Sequence, residues 1–319
     1  MASADRRRRH HPDPVPDLPV LGLLRGRGGA MSVIAAENGT ARKRRAGRWL
    51  PHTIALVSLL VLLYPLAWLL ATSLKPADEV VTSLDLWPSR LEWSNYTTAL
   101  DGVSGVSVTR LLGNSLTIAV GAVIGNVLSC SLAAYAFARL RFRMRGPMFG
   151  FMVATLMLPH HVVLIPQYII FNRLGLVDTY WPLILPKFLA TEAFFVFLIV
   201  QFMRGLPREL EESARIDGCG PFRTYWAITL PLSRPALITT AIFTFIWTWN
   251  DFFTQMIYLF APEKFTITLA LRSFVDQSST SAYGPMFAMS VISVLPIVLF
   301  FFVFQRYLVQ GMATSGLKG

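Results

Sequence analysis

The chain alternates between long apolar runs and short polar segments, and this pattern predicts a bundle of membrane-spanning helices. An α-helix rises 1.5 Å per residue, so about 20 apolar residues cross a hydrocarbon core ~30 Å thick. Six runs have this length and carry few or no ionisable side chains. The predicted spans are about 54–74, 111–138, 147–171, 183–203, 235–259 and 284–305. The predicted fold class is all-α integral membrane, with a span region from 49 to 308.

Two of these runs carry unusual residues. The third contains His160 and His161 between two prolines, and the fourth contains Lys187 and Glu192, which are spaced to pair. Adjacent histidines on a helix point about 100° apart, so they do not hold one metal together. We expect them to bond backbone groups that the prolines release, and we predict no metal site. The sequence leaves open a functional role for these histidines and for Glu192.

The two ends of the chain differ in composition from the apolar runs. Residues 1–48 are rich in Arg and Pro and lack apolar periodicity, which is typical of a disordered basic tail. Translation from Met31 would still leave a basic tail, and the sequence does not decide between Met1 and Met31. Residues 309–319 are predicted to form a second, short tail.

Composition and charge agree with a membrane protein. Hydrophobic residues make up 54% of the chain and charged residues 15%, whereas soluble domains carry about 25% charged residues. The net charge of +11 could also indicate a nucleic-acid partner. However, 22 of the 29 Lys and Arg residues fall on one side of a six-span arrangement. Positive residues collect on the cytoplasmic side, so both termini are predicted to lie in the cytoplasm.

One cytoplasmic loop is unusually polar. In the segment Glu209–Leu237, acidic residues follow Pro207, Gly218 is a natural helix stop, and a second helical piece is expected from about Pro221 to Thr229. We expect Pro231 to end that piece. A DNA-reading helix-turn-helix is a poor interpretation, since about 30 residues between two spans are too few for such a domain. A helix lying on the membrane and a docking element for a soluble partner remain as alternatives.

This loop carries a motif. Its residues are Glu212-Ser213-Ala214, then Gly218, then Ile228, Leu230 and Pro231. In spacing it resembles the E-A-A, G, I-x-L-P motif of permease subunits in bacterial binding-protein-dependent ABC importers, with Ser213 in place of an alanine. Other segments, such as "WTWNDFF" (247–253) and "LPHHVVLIPQY" (158–168), resemble the carbohydrate branch, similar to the second membrane subunit of the maltose system. The resemblance covers about residues 50–319.

The resemblance implies a transport assembly. It predicts a homologous second permease, two cytoplasmic ATPase subunits, an extracytoplasmic solute-binding protein and a location in the cytoplasmic membrane. It also implies that Glu209–Gly218 is a coupling helix seated in a cleft of the ATPase. The chain has no G-x-x-x-x-G-K-[ST] loop, so ATP is expected on the partners and no cofactor or catalytic residue on this chain.

Several polar or aromatic residues within the spans are candidates for the translocation path or for substrate contact: Trp247, Trp249, Asn250, Asp251 and Asn114. Indole rings can stack on a sugar, and an intramembrane carboxylate is a functional candidate. The alternative is an interfacial aromatic belt with polar groups that join helices. The predicted substrate is a sugar or oligosaccharide. The alternatives are a permease for a non-sugar solute such as glycerol phosphate, and a membrane receptor or scaffold; a membrane enzyme lacks a convincing set of catalytic residues.

Overall fold

The computed structural model describes residues 33–83, 85–276 and 283–316, so the predicted tail segments 1–32 and 317–319 lie outside the described residues. Contacts divide the chain into two units, Met1–Leu63 and Tyr64–Gly319. The described residues are mainly helical, and the β-type pairing recorded among them is one isolated bridge between Val103 and Val106.

Fifteen α-helices are seen in the described residues. They are α1 Val33–Thr72, α2 Ala77–Thr82, α3 Ser94–Asp101, α4 Val108–Arg139, α5 Arg145–Thr155, α6 His160–Arg173, α7 Trp181–Ile184, α8 Ala193–Arg204, α9 Glu209–Ile216, α10 Pro221–Thr224, α11 Leu230–Leu232, α12 Arg234–Asn250, α13 Phe253–Tyr258, α14 Ile267–Asp276 and α15 Tyr283–Gly316. Short 3₁₀ helices occupy Leu185–Leu189 and Pro262–Lys264, and a π-helical turn occupies Tyr225–Thr229.

The helix α1 begins earlier than expected. It starts at Val33, so residues 33–48 are helical where a tail without regular structure was predicted. The segment contains Ala, Glu, Lys and Arg and no proline before Pro51, and these residues lose little side-chain freedom in a helix. Its basic composition therefore did not require disorder.

The helices agree with a membrane protein, but not every predicted span is one continuous helix. Within the described residues, four segments are long and apolar enough to cross a membrane: Pro51–Thr72, Val108–Arg139, Trp181–Arg204 and Tyr283–Arg306. A fifth is counted if Pro221–Leu232 and Arg234–Asn250, which meet at 75°, form one bent span. The predicted span 147–171 is instead divided into α5 and α6 by a break ahead of Pro159. Six spans therefore remain a prediction.

The break in the third run has a local cause. Proline disfavours the helical conformation of the residue before it and has no N–H to donate. Pro159 has the extended ψ of 129° and precedes the first turn of α6, while the chain leaves α5 through short turns at residues 156–158. By contrast, Pro166 lies inside α6 and Pro296 inside α15 without ending either helix.

Helix α4 is the centre of the second unit. Its 32 residues span about 48 Å, and it contacts α7, α8, α12 and α14. Small residues such as Ala119, Ala122 and Ala134 are fully buried on it, which allows neighbouring helices to approach closely. Residues near its start share a hydrophobic cluster with Trp249, α14 and α15, and residues near its end share another with α8.

Candidate functional site

The first half of the sequence motif lies on helix α9. Glu212 and Ser213 are exposed, whereas Ala214 is buried against the rest of the protein. Gly218 has φ +79°, a left-handed conformation in which a side chain would be strained. The N–H groups of Gly218 and Cys219 bond the carbonyls of Arg215 and Ala214, which closes the helix with a tight turn.

The second half of the motif differs from expectation. We predicted that Pro231 would end the second helical piece, but the chain stays helical through Leu232 and turns at Ser233. Pro231 is in the first turn of α11, directly after the wider π-helical turn Tyr225–Thr229, where its missing N–H is tolerated, and the 75° bend follows at Ser233. The hydroxyl of Ser233 donates to the carbonyl of Thr229 at 2.7 Å. Ile228 and Leu230 are partly buried beside this turn.

The exposed surface of this loop carries large apolar side chains among its charged ones. Between residues 209 and 229 four of them are exposed, and we name them the loop patch: Leu210, Ile216, Phe222 and Trp226. Ile216 is 87% exposed, and the rings of Phe222 and Trp226 meet edge to face at 6.2 Å. A group of large apolar side chains on a protein surface is typical of an interaction site.

The inner side of α9 is held by a buried ion pair that the sequence reasoning missed. Nε of Arg139, the last residue of α4, lies 3.1 Å from Oε1 of Glu211, and their side chains are 2% and 9% exposed. The same Glu211 oxygen accepts a hydrogen bond from the Thr229 hydroxyl at 3.2 Å. The guanidinium also donates to the carbonyls of Met203 and Leu206, after which the chain enters the loop. We call Arg139, Glu211 and Thr229 the brace.

Two tyrosines add further anchors between α4 and the loop. The hydroxyl of Tyr135 donates to the carbonyl of Pro221 at 3.0 Å, and the hydroxyls of Ser131 and Tyr225 bond each other at 2.8 Å. The rings of Tyr135 and Tyr225 pack at 5.2 Å. The loop is therefore fixed on one side to the end of α4 and exposes the loop patch on the other.

A sequence signal for the brace existed. Glu211 and Ala214 are three residues apart and so share one face of α9, opposite the exposed Glu212 and Ser213. Arg139 opens the run "RLRFRMR", which we read only as an orientation signal. A buried carboxylate needs a cationic partner, and Arg139 is placed to supply it.

The structure separates the aromatic candidates in the fifth run. Trp247 is half exposed and packs with Phe194, Phe195 and Phe243. Trp249 is buried, and its indole N–H donates to the carbonyl of Ser293 at 3.1 Å. Trp249 thus joins α12 to α15, whereas the indole of Trp247 remains about half exposed.

The polar candidates serve mainly as backbone caps. Asn250 is the last residue of α12 and donates to the carbonyl of Ile246 at 2.8 Å, while Asp251 accepts from the N–H of Thr254 at 3.0 Å. Asn114 donates to the carbonyls of Glu263 and Phe265 at 2.9 and 2.8 Å. These contacts stabilise helix ends and a loop, and they leave Asn250 exposed.

The ends of the spans opposite the loop are joined by another polar contact. Asp178, with φ +58°, accepts the N–H groups of Phe260 and Ala261, and Lys264 lies 2.8 Å from its Oδ2. Partial burial acts to raise the pKa of Asp178, but the hydrogen bonds from Lys264 and the backbone outweigh it and hold the pKa below its usual value. This contact fixes the α6–α7 connection to the α13–α14 connection.

The sequence left open the roles of Glu192 and of the two histidines. The predicted Lys187–Glu192 pair is confirmed, and both side chains are only partly buried. The side chain of His160 lies outside the described residues, whereas the ring of His161 packs edge to face on Phe253 at 5.0 Å.

Known proteins are similar over most of the chain. Residues 125–314 match the family described as binding-protein-dependent transport system inner membrane component. The arabinooligosaccharides transport system permease protein AraQ of Bacillus subtilis is 32% identical over 263 residues, which cover 82% of this chain and 92% of that protein. The sn-glycerol-3-phosphate transport system permease protein UgpE of Rhizobium meliloti is 31% identical over 279 residues, 86% of this chain and 98% of that protein.

A solved structure agrees on the fold. A bacterial ABC transporter involved in the import of the acidic polysaccharide alginate contains a chain that matches with a TM-score of 0.72 at 23% identity, over 83% of this chain and 98% of that one. With the family match and the helical architecture, the chain therefore belongs to the inner membrane components of binding-protein-dependent transport systems, the permeases of ABC transporters.

Proposed function

We propose that this chain is one of two permease subunits of an ABC importer that moves a sugar or oligosaccharide across the cytoplasmic membrane. A homologous permease, two ATPases and an extracytoplasmic binding protein complete the assembly. The names of relatives support the substrate class: one is a permease for arabinooligosaccharides, and a structural neighbour belongs to an alginate importer. A related structure is of the alginate transporter with a pentasaccharide-bound periplasmic protein, which supports the binding-protein partner.

Glycerol phosphate is the second candidate substrate. The permease of Rhizobium meliloti named for sn-glycerol-3-phosphate is about as similar to this chain as the arabinooligosaccharide permease is. Sugar is favoured because the exposed Trp247 lies among three phenylalanines, and flat rings suit the apolar faces of a sugar better than a phosphate.

The observation that carries the coupling role is the two-sided packing of α9. Its inner face is joined to α4 through the buried Arg139–Glu211 pair, and its outer side presents the loop patch with Glu212 and Ser213. We propose that an ATPase cleft receives this outer side. When two ATPases close on ATP, the docked loops move and the brace passes that motion to α4. Alternating access then follows as rigid-body rocking of the spans.

The proposal places the loop, the run 139–145 and both termini in the cytoplasm, with six crossings. Under it, α5 and α6 form one broken crossing and α12 with α13 forms another, while α10 and α11 stay in the cytoplasmic loop and meet α12 at the 75° bend. Broken spans are tolerated where neighbouring helices or side chains satisfy the freed backbone groups. Cysteines placed singly in the 139–145 and 209–220 segments would be labelled only from the cytoplasmic side if this orientation is correct.

The test is reconstitution of the whole transporter in proteoliposomes. With the cognate ATPases and binding protein, we expect sugar uptake that requires ATP. Glu212→Lys and Gly218→Pro should abolish ATPase association and uptake, whereas Arg143→Gln, an exposed residue of the other cytoplasmic loop, should change neither. Intact coupling in both loop variants would refute the docking role. Uptake of glycerol phosphate without sugar uptake would support the second candidate.

A further inference from the structure

The fourth span is interrupted close to the middle of the membrane. The segment begins at Trp181, passes through the 3₁₀ turns Leu185–Leu189, and reaches Ala190 in a left-handed conformation with φ +53°. Regular helix resumes at Ala193 and runs for 12 residues. Those residues rise about 18 Å, so the break lies about halfway through a hydrocarbon core ~30 Å thick. Non-helical backbone at this depth occurs where it is enclosed by protein or lines an aqueous cavity.

The break carries two opposite charges. Lys187 and Glu192 bond each other, yet their side chains remain 24% and 28% exposed. Ionisable groups at this depth are costly in an apolar environment and typically face a path for ions or substrates. An ammonium group has three donors and a carboxylate about four acceptor positions, so a single mutual bond leaves capacity for a hydroxylated ligand.

Packing does not require these charges. The break is attached to α4 through its backbone: the Ser129 hydroxyl donates to the carbonyl of Lys187 at 2.6 Å, and the thiol of Cys130 lies 3.9 Å from the carbonyl of Glu192. Phe188 adds an apolar contact, since its ring lies over Gly125. Neutral side chains at 187 and 192 would leave all of these contacts in place.

Exposed aromatic rings lie on the helix that begins directly after the charged pair and on α12, which contacts that helix. Phe194 follows Glu192 by two residues, and its ring lies 5.8 Å from that of Trp247. Phe194 and Trp247 are 41% and 49% exposed. Charged hydrogen-bonding groups next to accessible rings suit a sugar, whose hydroxyl edges are polar and whose ring faces are apolar.

We propose that Lys187, Glu192 and Trp247 form a sugar-contact station on the translocation path. As a sugar passes, Lys187 donates hydrogen bonds to its hydroxyl oxygens and Glu192 accepts hydrogen bonds from its hydroxyl groups, partly in place of the bond between the two side chains. Trp247 stacks on the face of the sugar ring. The proposal rests on the proposed function and adds the residues of this chain that meet the substrate inside the membrane. Discontinuous spans that bind substrate near the midplane are a recurring transporter arrangement.

The test compares sugar uptake with ATP hydrolysis in proteoliposomes that contain the complete transporter. Lys187→Met, Glu192→Gln and Trp247→Ala should each lower uptake about tenfold or more, as expected for one lost charge-assisted or stacking contact. ATP hydrolysis stimulated by the binding protein should stay within about twofold of wild type, because the loop is untouched. The control is Glu92→Gln, which neutralises one partner of the Arg90–Glu92 pair outside the spans and should leave both rates unchanged.

A structural role for the pair gives a different result. In Lys187→Glu/Glu192→Lys the two charges still pair, so a merely structural pair would recover uptake, whereas the station predicts continued loss. Should a single variant fail to assemble, Trp247→Phe against Trp247→Ala provides the test, with partial retention expected only for Phe. Normal uptake in the variants, or recovery in the swap, would overturn the station alone. A wild-type transporter that carries no sugar would overturn the proposed function and the station with it.

Discussion

Breaking the brace should destabilise the protein far more than breaking an ordinary surface pair. Arg139 and Glu211 are 2% and 9% exposed at the side chain and lie 3.1 Å apart. An exposed ion pair contributes about 0–1 kcal/mol, whereas removing one partner of a buried pair costs about 3–5 kcal/mol because the other charge is left without compensation. We therefore expect Glu211→Leu to lower the free energy of unfolding by about 3 kcal/mol.

The two single variants should differ. In Glu211→Leu the Arg139 guanidinium keeps its hydrogen bonds to the carbonyls of Met203 and Leu206. These bonds reduce the cost of leaving its charge buried without a carboxylate. In Arg139→Met those two carbonyls lose a donor and the Glu211 carboxylate, which keeps only the hydrogen bond from Thr229, stays buried without a cation, so a cost nearer 5 kcal/mol is expected. The double variant Arg139→Met/Glu211→Leu leaves no buried charge, and its cost should be smaller than the sum of the single costs.

The assay is denaturant unfolding in mixed micelles, followed by far-UV circular dichroism, for both singles and the double. Glu209→Leu is the matched control, because Glu209 lies on the same helix but is exposed, and its change should stay within about 0.5 kcal/mol. Additive single costs, or a cost under about 1 kcal/mol for Glu211→Leu, would show that the pair behaves as a surface pair. In that case the brace would be rejected.

Three further predictions concern local geometry. A Cβ on Gly125 would lie 2.4 Å from the Phe188 ring, so Gly125→Ala should displace the span break and lower thermal stability, whereas Gly113→Ala, at a position with open space, should not. Gly218→Val should destabilise the loop turn by about 1–2 kcal/mol because of its positive φ, with reduced ATPase association as the measurement. Since the Asp178 pKa is lowered in the folded state, its contribution is complete above the unfolded pKa and is lost as the pH falls through the folded one. Asp178→Asn should therefore reduce the loss of thermal stability below about pH 4, and an unchanged acid profile would contradict the assignment.

The apolar pattern predicted the helical class because backbone groups in a membrane must bond within their own segment. It also located α4 and α15, whose apolar residues run without an interruption that ends the helix. It did not show where the runs leave the helical conformation: the third run breaks ahead of Pro159, the fourth between Leu185 and Glu192, and the fifth at the turn Asn250–Asp251. A hydropathy pattern does not show such breaks, because the residues at a break can be as apolar as the helix around them. The break after α5, for example, consists of Leu156, Met157, Leu158 and Pro159.

The motif residues were found by spacing, but the contacts that hold them were not. Arg139 was counted with the arginines that set orientation, although it is buried and its neighbours Arg141 and Arg143 are exposed. Sequence distance hides the relation, because Arg139 and Glu211 are 72 positions apart and meet only when α8 returns the chain to the end of α4. Likewise, Glu211 and Glu212 are chemically identical, and only helix orientation assigns one to the brace and the other to the surface.

Helix α4 gives the two proposals one mechanical connection. Ser129 and Cys130 hold the break that carries the station, and Arg139 holds the loop, ten residues and about 15 Å further along the same helix. No proline or other interruption lies between these positions, so a rotation of the loop cannot be absorbed by bending there. Under the two proposals, a small movement of α9 would reach the backbone carbonyls of Lys187 and Glu192 through this helix. ATP hydrolysis on a partner chain would then change the geometry around a sugar at the station, half a membrane away.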